Sequence, residues 1–237
     1  SEMCIRDRVS RDKLSKQFYA KLVSELEGLA STILASFNPS LSDVSTASNY
    51  DVLFGDGIIR EKLLGYEFMI TPFSFFQTNP KLAESLYAKV VELAELQGNE
   101  RVLDAYCGMG TMATVIASYA KEVVGFDVSR ESIAVGRKNL EINGIKNVKL
   151  EVANAKKFNV KGFDVIIVDP PRSGLGKFSR KLAQSCAKKI IYVSCNPRTQ
   201  KLDLEILKSH YKLVDCFAFD IFPCTPHVET VALLERV

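Results

Sequence analysis

The sequence lacks several patterns that are typical of other classes of protein. Its six cysteines include no C-x-x-C pair, and we predict no metal site. No apolar run approaches the roughly 18 residues of a membrane-spanning helix, so we predict no membrane partner. Without a secretory signal, the cysteines are expected to be reduced thiols in a cytoplasmic protein. The chain also has no internal repeat and no low-complexity segment.

What remains is the composition of an ordinary globular protein. The 237 residues are 47% hydrophobic and 25% charged, with a formal net charge of +3. That length is enough for one large domain, or for one domain and a small companion. The weak positive charge permits a nucleic-acid partner without requiring one.

The first third of the chain divides into segments of different character. Residues 1–8 join no obvious element and resemble a non-native extension, so they carry no weight in the fold prediction. Residues 12–37 have apolar side chains at helical spacing and predict a helix, and residues 38–49 predict a polar loop. Residues 52–76 predict short strands separated by glycine turns.

After residue 75 the chain alternates between strand-like and helix-like segments. The predicted strands are 101–105, 122–126, 148–152, 163–169, 189–194, 212–219 and 230–235, and the predicted helices are 80–96, 112–120, 130–143, 178–187 and 199–209. Such alternation predicts an α/β fold, with a parallel sheet covered by helices on both faces. The last two strands have no helix between them, so we expect a terminal hairpin. We assign residues 75–237 to this domain and residues 9–74 to part of a small domain before it.

Residues suited to a nucleoside follow three consecutive strands. The first strand ends in a glycine turn, residues 104–110, where a ligand can approach the backbone closely. The turn matches neither the dinucleotide motif G-x-G-x-x-G nor a phosphate loop. Asp127 ends the second strand and can accept both ribose hydroxyls, while Asn154 follows the third and can reach an adenine edge. Each feature alone is commonly only a turn or a helix cap, but together they predict a nucleoside cofactor.

Asp169 ends the fourth strand, in the sequence Asp169-Pro170-Pro171-Arg172. The two prolines stiffen a loop at the carboxyl edge of the sheet, where ligands of open α/β sheets bind. We therefore expect Asp169 to face the cofactor or a substrate base, rather than to cap the next helix.

Cys195 and Glu229 are the candidates for covalent chemistry. Cys195 directly follows the apolar strand 189–194, and Glu229 follows the proline-rich stretch 222–226. A thiolate held at a strand end can attack an electrophilic carbon, and a carboxylate from a later segment can then remove a proton. The alternative is an inert buried cysteine and a surface glutamate.

Together these motifs resemble the catalytic domain of the S-adenosylmethionine-dependent RNA 5-methyluridine methyltransferases, which act on uridines of ribosomal and transfer RNA. The resemblance covers residues 75–236 in the family's order and spacing. Its five segments are residues 75–79, 104–110, 169–172, 194–197 and 227–229. Residues 12–74 resemble the family's central segment more loosely. We expect the family's N-terminal RNA-binding β-barrel, and the region that holds an iron–sulfur cluster in some members, to be absent.

The resemblance implies a Rossmann-like class I methyltransferase sheet with an antiparallel last strand, S-adenosyl-L-methionine as cofactor, RNA as partner and a monomeric protein. Cys195 would be the nucleophile and Glu229 the general base. The cofactor site would be lined by Gln77, Tyr106, Thr111, Asp127, Asn154 and Asp169. Asp127 stands where the family commonly has Glu, and Thr111 where it commonly has Asn.

The implied reaction is methyl transfer to C5 of a uridine, and it needs a thiol because C5 of uracil is a poor nucleophile. The Cys195 thiolate adds to C6, C5 takes the methyl group, and Glu229 removes the C5 proton before Cys195 leaves. The base must leave its stack to reach the thiol. We expect 23S ribosomal RNA as the substrate, with uridine 54 of tRNA as the alternative.

Two other functions stay open from the sequence. Enzymes that methylate exocyclic amines share the Asp-Pro-Pro loop, but they need no strand-end cysteine and carry an aromatic residue where Arg172 stands. A catalytically silent RNA-binding module would be expected to lack Cys195 or Glu229. Phe75, Phe76 and Phe222 are candidates to stack on the base, or else core residues. The basic residues Arg172, Lys177, Arg180, Arg198 and Lys201 are candidates for phosphate contacts, or else a solvated surface.

Overall fold

The computed structural model describes residues 15–36 and 50–237. The helix predicted over residues 12–37 is wrong in its second half, because α1 covers Lys16–Leu26 and a strand, β1, covers Ile33–Ser36. β1 pairs antiparallel with β2, Tyr50–Phe54. Thr32, just before β1, donates its hydroxyl to the Phe54 carbonyl at 2.9 Å. This pairing with a distant strand overrides the local helical spacing. The loop predicted over residues 38–49 lies outside the described residues.

A second hairpin, β3 (Ile59–Leu63) and β4 (Tyr66–Ile70), confirms the short strands predicted before residue 76. Its turn contains Gly65 at φ 85°, a conformation that favours glycine. β4 is attached to the helix of residues 130–142 by two asparagines. Asn139 bonds both the N–H and the C=O of Met69, and Asn143 does the same with Glu67.

The remaining elements form a seven-stranded sheet with its helices. They are α2 (Pro80–Ala94), β5 (Arg101–Ala105), α3 (Thr111–Ile116), β6 (Glu122–Asp127), α4 (Arg130–Ile142), β7 (Val148–Val152), β8 (Val165–Val168), α5 (Lys177–Ala183), β9 (Lys189–Ser194), α6 (Pro197–Leu207), β10 (Tyr211–Phe219) and β11 (Glu229–Arg236). The spatial order is β10-β11-β9-β8-β5-β6-β7. β11 runs antiparallel to both of its neighbours, and the other pairings are parallel. The predicted α/β class and the antiparallel last strand are confirmed.

Helices cover both faces of this sheet, as the alternation predicted. Leu86 and Val90 of α2 pack on one face with Ile116 of α3, while Leu182 of α5 and Leu207 of α6 pack on the other. β8 is buried along its whole length, which is why its sequence is continuously apolar rather than alternating. The carboxyl ends of the parallel strands therefore form a rigid edge.

The division of the chain near residue 75 stays a prediction. Leu63 and Phe68 of the β3–β4 hairpin are fully buried in the same core as α2, so the hairpin packs on the sheet. Among the described residues, none of the helices combines the length and the hydrophobicity that a membrane span requires. Over the same residues, no group of three or more His, Cys, Asp or Glu side chains could hold a metal ion.

Candidate active site at the carboxyl edge of the sheet

The predicted site residues lie on one edge of the sheet because they follow parallel strands. Tyr106 follows β5, Asp127 ends β6, Asn154 comes after β7, Asp169 follows β8 and Cys195 follows β9. In open α/β sheets this edge is where ligands bind, close to the point at which the strand order reverses. Here that reversal lies between β5 and β8.

Glu229 reaches Cys195 through the pairing of β11 with β9. Thr230 of β11 is the partner of Ser194, the last residue of β9. Extending this antiparallel register by one residue places Glu229 opposite Cys195. Glu229 is only 4% exposed, so the surface glutamate of the alternative interpretation is wrong. Their roles as nucleophile and base stay predictions.

Opposing charges act on the Cys195 thiol. Partial burial raises its pKa, and the carboxylates of Glu229 and Asp169 raise it further. The Arg172 guanidinium acts in the other direction, through its charge and a hydrogen bond, and so favours the thiolate. The pKa of Glu229 is raised by burial, again with Arg172 opposing the shift. Arg172 is therefore the cation that faces both candidate catalytic groups.

The loop that carries Arg172 is bonded to the segment that follows Cys195. The Arg172 carbonyl accepts hydrogen bonds from Asn196 Nδ2 at 3.0 Å and from Thr199 Oγ1 at 3.1 Å. Its Nη2 lies 3.5 Å from Nε2 of His227. Asn196 also caps α6 by accepting from the Arg198 N–H. The fold places Arg172 beside the thiol, and its contact with a phosphate stays a prediction.

Two further residues that the sequence analysis did not select contribute to this edge. Burial raises the pKa of Asp104 to about 7, although the Ala113 N–H bonded to it acts in the opposite direction. Burial also raises the pKa of Tyr87, with the carboxylates of Asp169, Asp104 and Glu229 adding to the shift. Asp104 lies inside a motif that was noted only for its glycines. Helical spacing could place Tyr87 on the buried face of α2, but not beside three acids.

Asp169, like Asp104, is an acid of this edge whose pKa is raised. Its pKa is raised to about 8 by burial first, then by Glu229 and Asp104. It does not cap α5, because α5 begins after Gly176 without a side-chain cap. With pKa values of about 8 and about 7, Asp169 and in part Asp104 hold a proton near neutral pH, and a bound cation would favour their ionised forms. Such an environment suits a positively charged ligand.

The turn after β5 has the open backbone that the glycines predicted. Tyr106, Gly108 and Gly110 all have positive φ, at 63°, 54° and 72°. A positive φ on a bulky tyrosine is strained, and such strain is typical of ligand sites. Tyr106 packs edge-on against Phe178, and its pKa is raised to about 12 by burial.

Asp127 holds the same turn from β6. Its carboxylate accepts from the Gly108 N–H at 3.1 Å and from the Ser129 N–H at 2.8 Å. The cap of α4 is Ser129, not Asp127. A carboxylate has about four acceptor sites, so two bonds leave capacity for a ligand.

Three predicted cofactor residues differ in how the fold presents them. The Gln77 side-chain oxygen is buried and has no hydrogen-bond partner among the described residues. Buried polar atoms normally have partners, so Gln77 fits a site completed by a ligand donor. Asn154 lines a cleft of about 570 Å³ beside Phe158, which stacks on Phe126 at 4.2 Å. Thr111 is buried at the first residue of α3.

The three candidate stacking phenylalanines are not equivalent. Phe76 and Phe222 pack against the hydrophobic core, as the core interpretation expected. Phe75 is 66% exposed and is the member of the three that is available to a partner.

The family model for tRNA (uracil-5-)-methyltransferase matches residues 51–161 and 154–237, which is most of the chain. The chain belongs to this family. Its resemblance to RNA uracil-5-methyltransferases, predicted from the five motifs, is thereby confirmed.

Individual RNA methyltransferases are similar over most of this chain. An uncharacterised RNA methyltransferase of Listeria innocua is 40% identical over 226 residues, covering 91% of this chain and 50% of its own length. A tRNA (uracil(54)-C(5))-methyltransferase of Pyrococcus horikoshii is 44% identical over 206 residues, covering 86% and 49%. The crystal structure of the Pyrococcus abyssi tRNA (uracil-54, C5)-methyltransferase with S-adenosyl-L-homocysteine superimposes with a TM-score of 0.75 at 41% identity, covering 86% and 51%. The chain spans about half the length of these relatives.

Proposed function

We propose that this chain transfers a methyl group from S-adenosyl-L-methionine to C5 of a uridine in RNA, through a covalent bond between Cys195 and C6 of the base. The observation that carries the proposal is the pairing of Thr230 with Ser194, because the same register continued by one residue sets Cys195 opposite the buried Glu229. Family membership supports the same reaction. The relatives that act on uridine 54 of tRNA make that nucleotide the first substrate to test, ahead of 23S ribosomal RNA.

The residues of the edge fit S-adenosyl-L-methionine. The buried Gln77 oxygen needs a donor, and the N–H and O–H groups of the cofactor would be able to provide one. Bound there, the cofactor supplies an electrophilic methyl group on a sulfonium. The residues that would hold it are Gln77, Tyr106, Thr111, Asp127, Asn154 and Asp169. Asp104 and Asp169, with pKa values raised to about 7 and about 8, would ionise more fully beside a cation and strengthen its binding.

The chain's own groups divide the remaining work. The Cys195 thiolate adds to C6, which places electron density on C5. Arg172 supports this addition because its charge and hydrogen bond favour the thiolate over the thiol. C5 then takes the methyl group, which would leave the neutral thioether S-adenosyl-L-homocysteine. The Glu229 carboxylate removes the C5 proton, and elimination returns Cys195 as a free thiolate. A raised pKa for Glu229 makes it a stronger base than an ordinary carboxylate.

The other candidate functions receive less support from this arrangement. Methylation of an exocyclic amine needs no thiol beside a carboxylate, and Arg172 occupies the position of the aromatic residue in that loop. A silent RNA-binding module has no use for a buried Glu229, because burying a carboxylate costs stability.

The product identifies the reaction. The chain is incubated with methyl-deuterated cofactor and either a tRNA or a 23S RNA transcript, and the nucleosides are analysed by mass spectrometry. We expect deuterated 5-methyluridine from the unaltered chain and from Cys216→Ala, a matched control at an exposed cysteine of β10, and none from Cys195→Ala. A tRNA in which uridine 54 is cytidine tests whether that nucleotide is the one modified in tRNA. Label in adenine or cytosine amines, or product from Cys195→Ala, would contradict the proposal.

A further inference from the structure

Gln200 connects the two strands that carry the candidate catalytic pair. It lies on α6 and is 3% exposed. Its Nε2 donates to the Tyr192 carbonyl of β9 at 2.9 Å, and its Oε1 accepts from Thr230 Oγ1 of β11, also at 2.9 Å. The Thr230 hydroxyl oxygen also lies 3.1 Å from the Ser194 carbonyl, to which it can donate instead. One side-chain amide therefore spans from the nucleophile strand to the base strand.

This connection stands at the last paired position before the site. Ser194 precedes Cys195, Thr230 follows Glu229, and these two flanking residues are partners in the sheet. β9 ends at Ser194, so no further backbone pairing fixes Cys195 against Glu229. The bonds of Gln200 and Thr230 thus join the two strands at the last paired position before the two groups.

The helix that carries Gln200 is itself held in place. Asp203, also on α6, accepts from the Tyr192 hydroxyl at 2.7 Å and from the Leu175 N–H at 2.7 Å. Asn196 and Thr199, near the start of α6, hold the Arg172 carbonyl. Gln200 therefore lies on a helix that is held in place, and its amide bonds that helix to Thr230 of β11.

We propose that Gln200 is a positioning residue that sets the separation between the Cys195 thiol and the Glu229 carboxylate, acting through Thr230. The inference deepens the proposed function and rests on it for its catalytic meaning, because Gln200 touches neither reacting group. A purely structural role would lower the stability of a Gln200 variant without changing the interaction between Cys195 and Glu229.

The interaction between Cys195 and Glu229 can be measured without RNA or cofactor. The pKa of Cys195 is obtained from its rate of alkylation by iodoacetamide across pH, resolved by peptide mass spectrometry. The groups that face it are Glu229, Asp169 and Arg172, and only Glu229 is changed. In the otherwise unaltered chain, Glu229→Gln should lower the pKa of Cys195, because it removes a carboxylate that raises it. This downward shift is the measure of how closely the two groups lie.

In the Gln200→Leu background, Glu229→Gln should lower the pKa of Cys195 by less than half as much as it does in the otherwise unaltered chain. Thr230→Val, a smaller change, should reduce this pKa shift as well. Thr230→Ser keeps the hydroxyl and should retain the full shift. Ser185→Ala is the control, since it removes a buried hydrogen bond to Tyr211 at the opposite edge of the sheet and should leave the shift intact. If Gln200→Leu does not fold, the two Thr230 variants decide the question.

Three results would overturn the inference. They are a full shift of the Cys195 pKa in both the Gln200→Leu and the Thr230→Val backgrounds, a loss of the shift in Ser185→Ala equal to that in Gln200→Leu, or no shift on Glu229→Gln in the otherwise unaltered chain. Failure of the proposed function is a different outcome. It would appear as the predicted shifts in a chain that makes no 5-methyluridine.

Discussion

Replacing Gly136 by alanine tests how closely α4 must approach the turn after β5. A Cβ at residue 136 would lie 2.6 Å from the Met109 carbonyl oxygen and 2.7 Å from Leu150 Cδ1. Leu150 can change its rotamer, but the Met109 carbonyl belongs to the backbone of the turn. Relief of the contact therefore requires α4 or the turn to move by several tenths of an ångström.

Two effects of opposite sign decide how far Gly136→Ala changes the free energy of unfolding. Alanine in place of glycine inside a helix contributes about 1 kcal/mol of stability, whereas overpacking a rigid site costs about 1–3 kcal/mol. The net destabilisation is then about 0–2 kcal/mol, which lowers the Tm by up to about 8 °C in a chain of this length. The affinity for S-adenosyl-L-methionine should fall as well, since the displaced turn is the proposed cofactor site.

Thermal unfolding and titration calorimetry check both effects. Gly28→Ala is the control, because a Cβ at residue 28 meets nothing within 4 Å. It should change stability by less than about 0.5 kcal/mol and leave cofactor affinity unchanged. A Gly136→Ala chain with a higher Tm and unaltered cofactor affinity would refute the argument that this close approach shapes the site.

Three further predictions follow from the charges of the site. The free energy of unfolding should fall as pH rises from about 4 to 8, because folded Asp169, with a pKa raised to about 8, keeps a proton that the unfolded chain has lost. Urea denaturation of Asp169→Asn should show a shallower fall with pH, and a fall equal to that of the unaltered chain would count against this assignment. Arg172→Gln should raise the pKa of Cys195 and slow its alkylation at pH 8, and an unchanged rate would remove Arg172 from the site. Asp127→Ala should weaken cofactor binding about ten- to a hundredfold, because it loses a charged acceptor worth about 1.5–3 kcal/mol; unchanged affinity in calorimetry would exclude Asp127.

The sheet was predictable because its signals are local. Buried parallel strands are continuous apolar runs, and the helices between them have regular spacing, so most predicted elements match within a few residues. The helix predicted over residues 178–187 ends early, at Ala183. Its last turn is absent because Cys186 has a φ of 68° and the Ser185 hydroxyl accepts a hydrogen bond from the Ala187 N–H.

The error in the first third has a non-local cause. Leu29 and Ile33 continue the helical spacing of α1, yet Ile33 pairs with Phe54 in a strand. Gly55 allows this pairing, because a Cβ there would lie 2.3 Å from the Ser31 carbonyl oxygen. Nothing in residues 12–37 alone reveals a partner beyond residue 50.

The candidate site was predictable residue by residue, but not as an arrangement. Cys195 and Glu229 could each be found from their sequence surroundings, whereas their opposition depends on the register of β9 with β11. Arg172 could be recognised as basic but not as the neighbour of the thiol. Gln200 has no sequence signal at all, because a glutamine on a helix is ordinary until its burial between two strands is known.

A covalent trap tests the central claim most directly. Addition of Cys195 precedes proton removal by Glu229 in the proposed order, so losing the later step should retain the earlier bond. Glu229→Gln, given cofactor and substrate RNA, should form a protein–RNA band that survives denaturant, and Cys195→Ala/Glu229→Gln should form none. Near-normal turnover by Glu229→Gln without any covalent band would contradict the account.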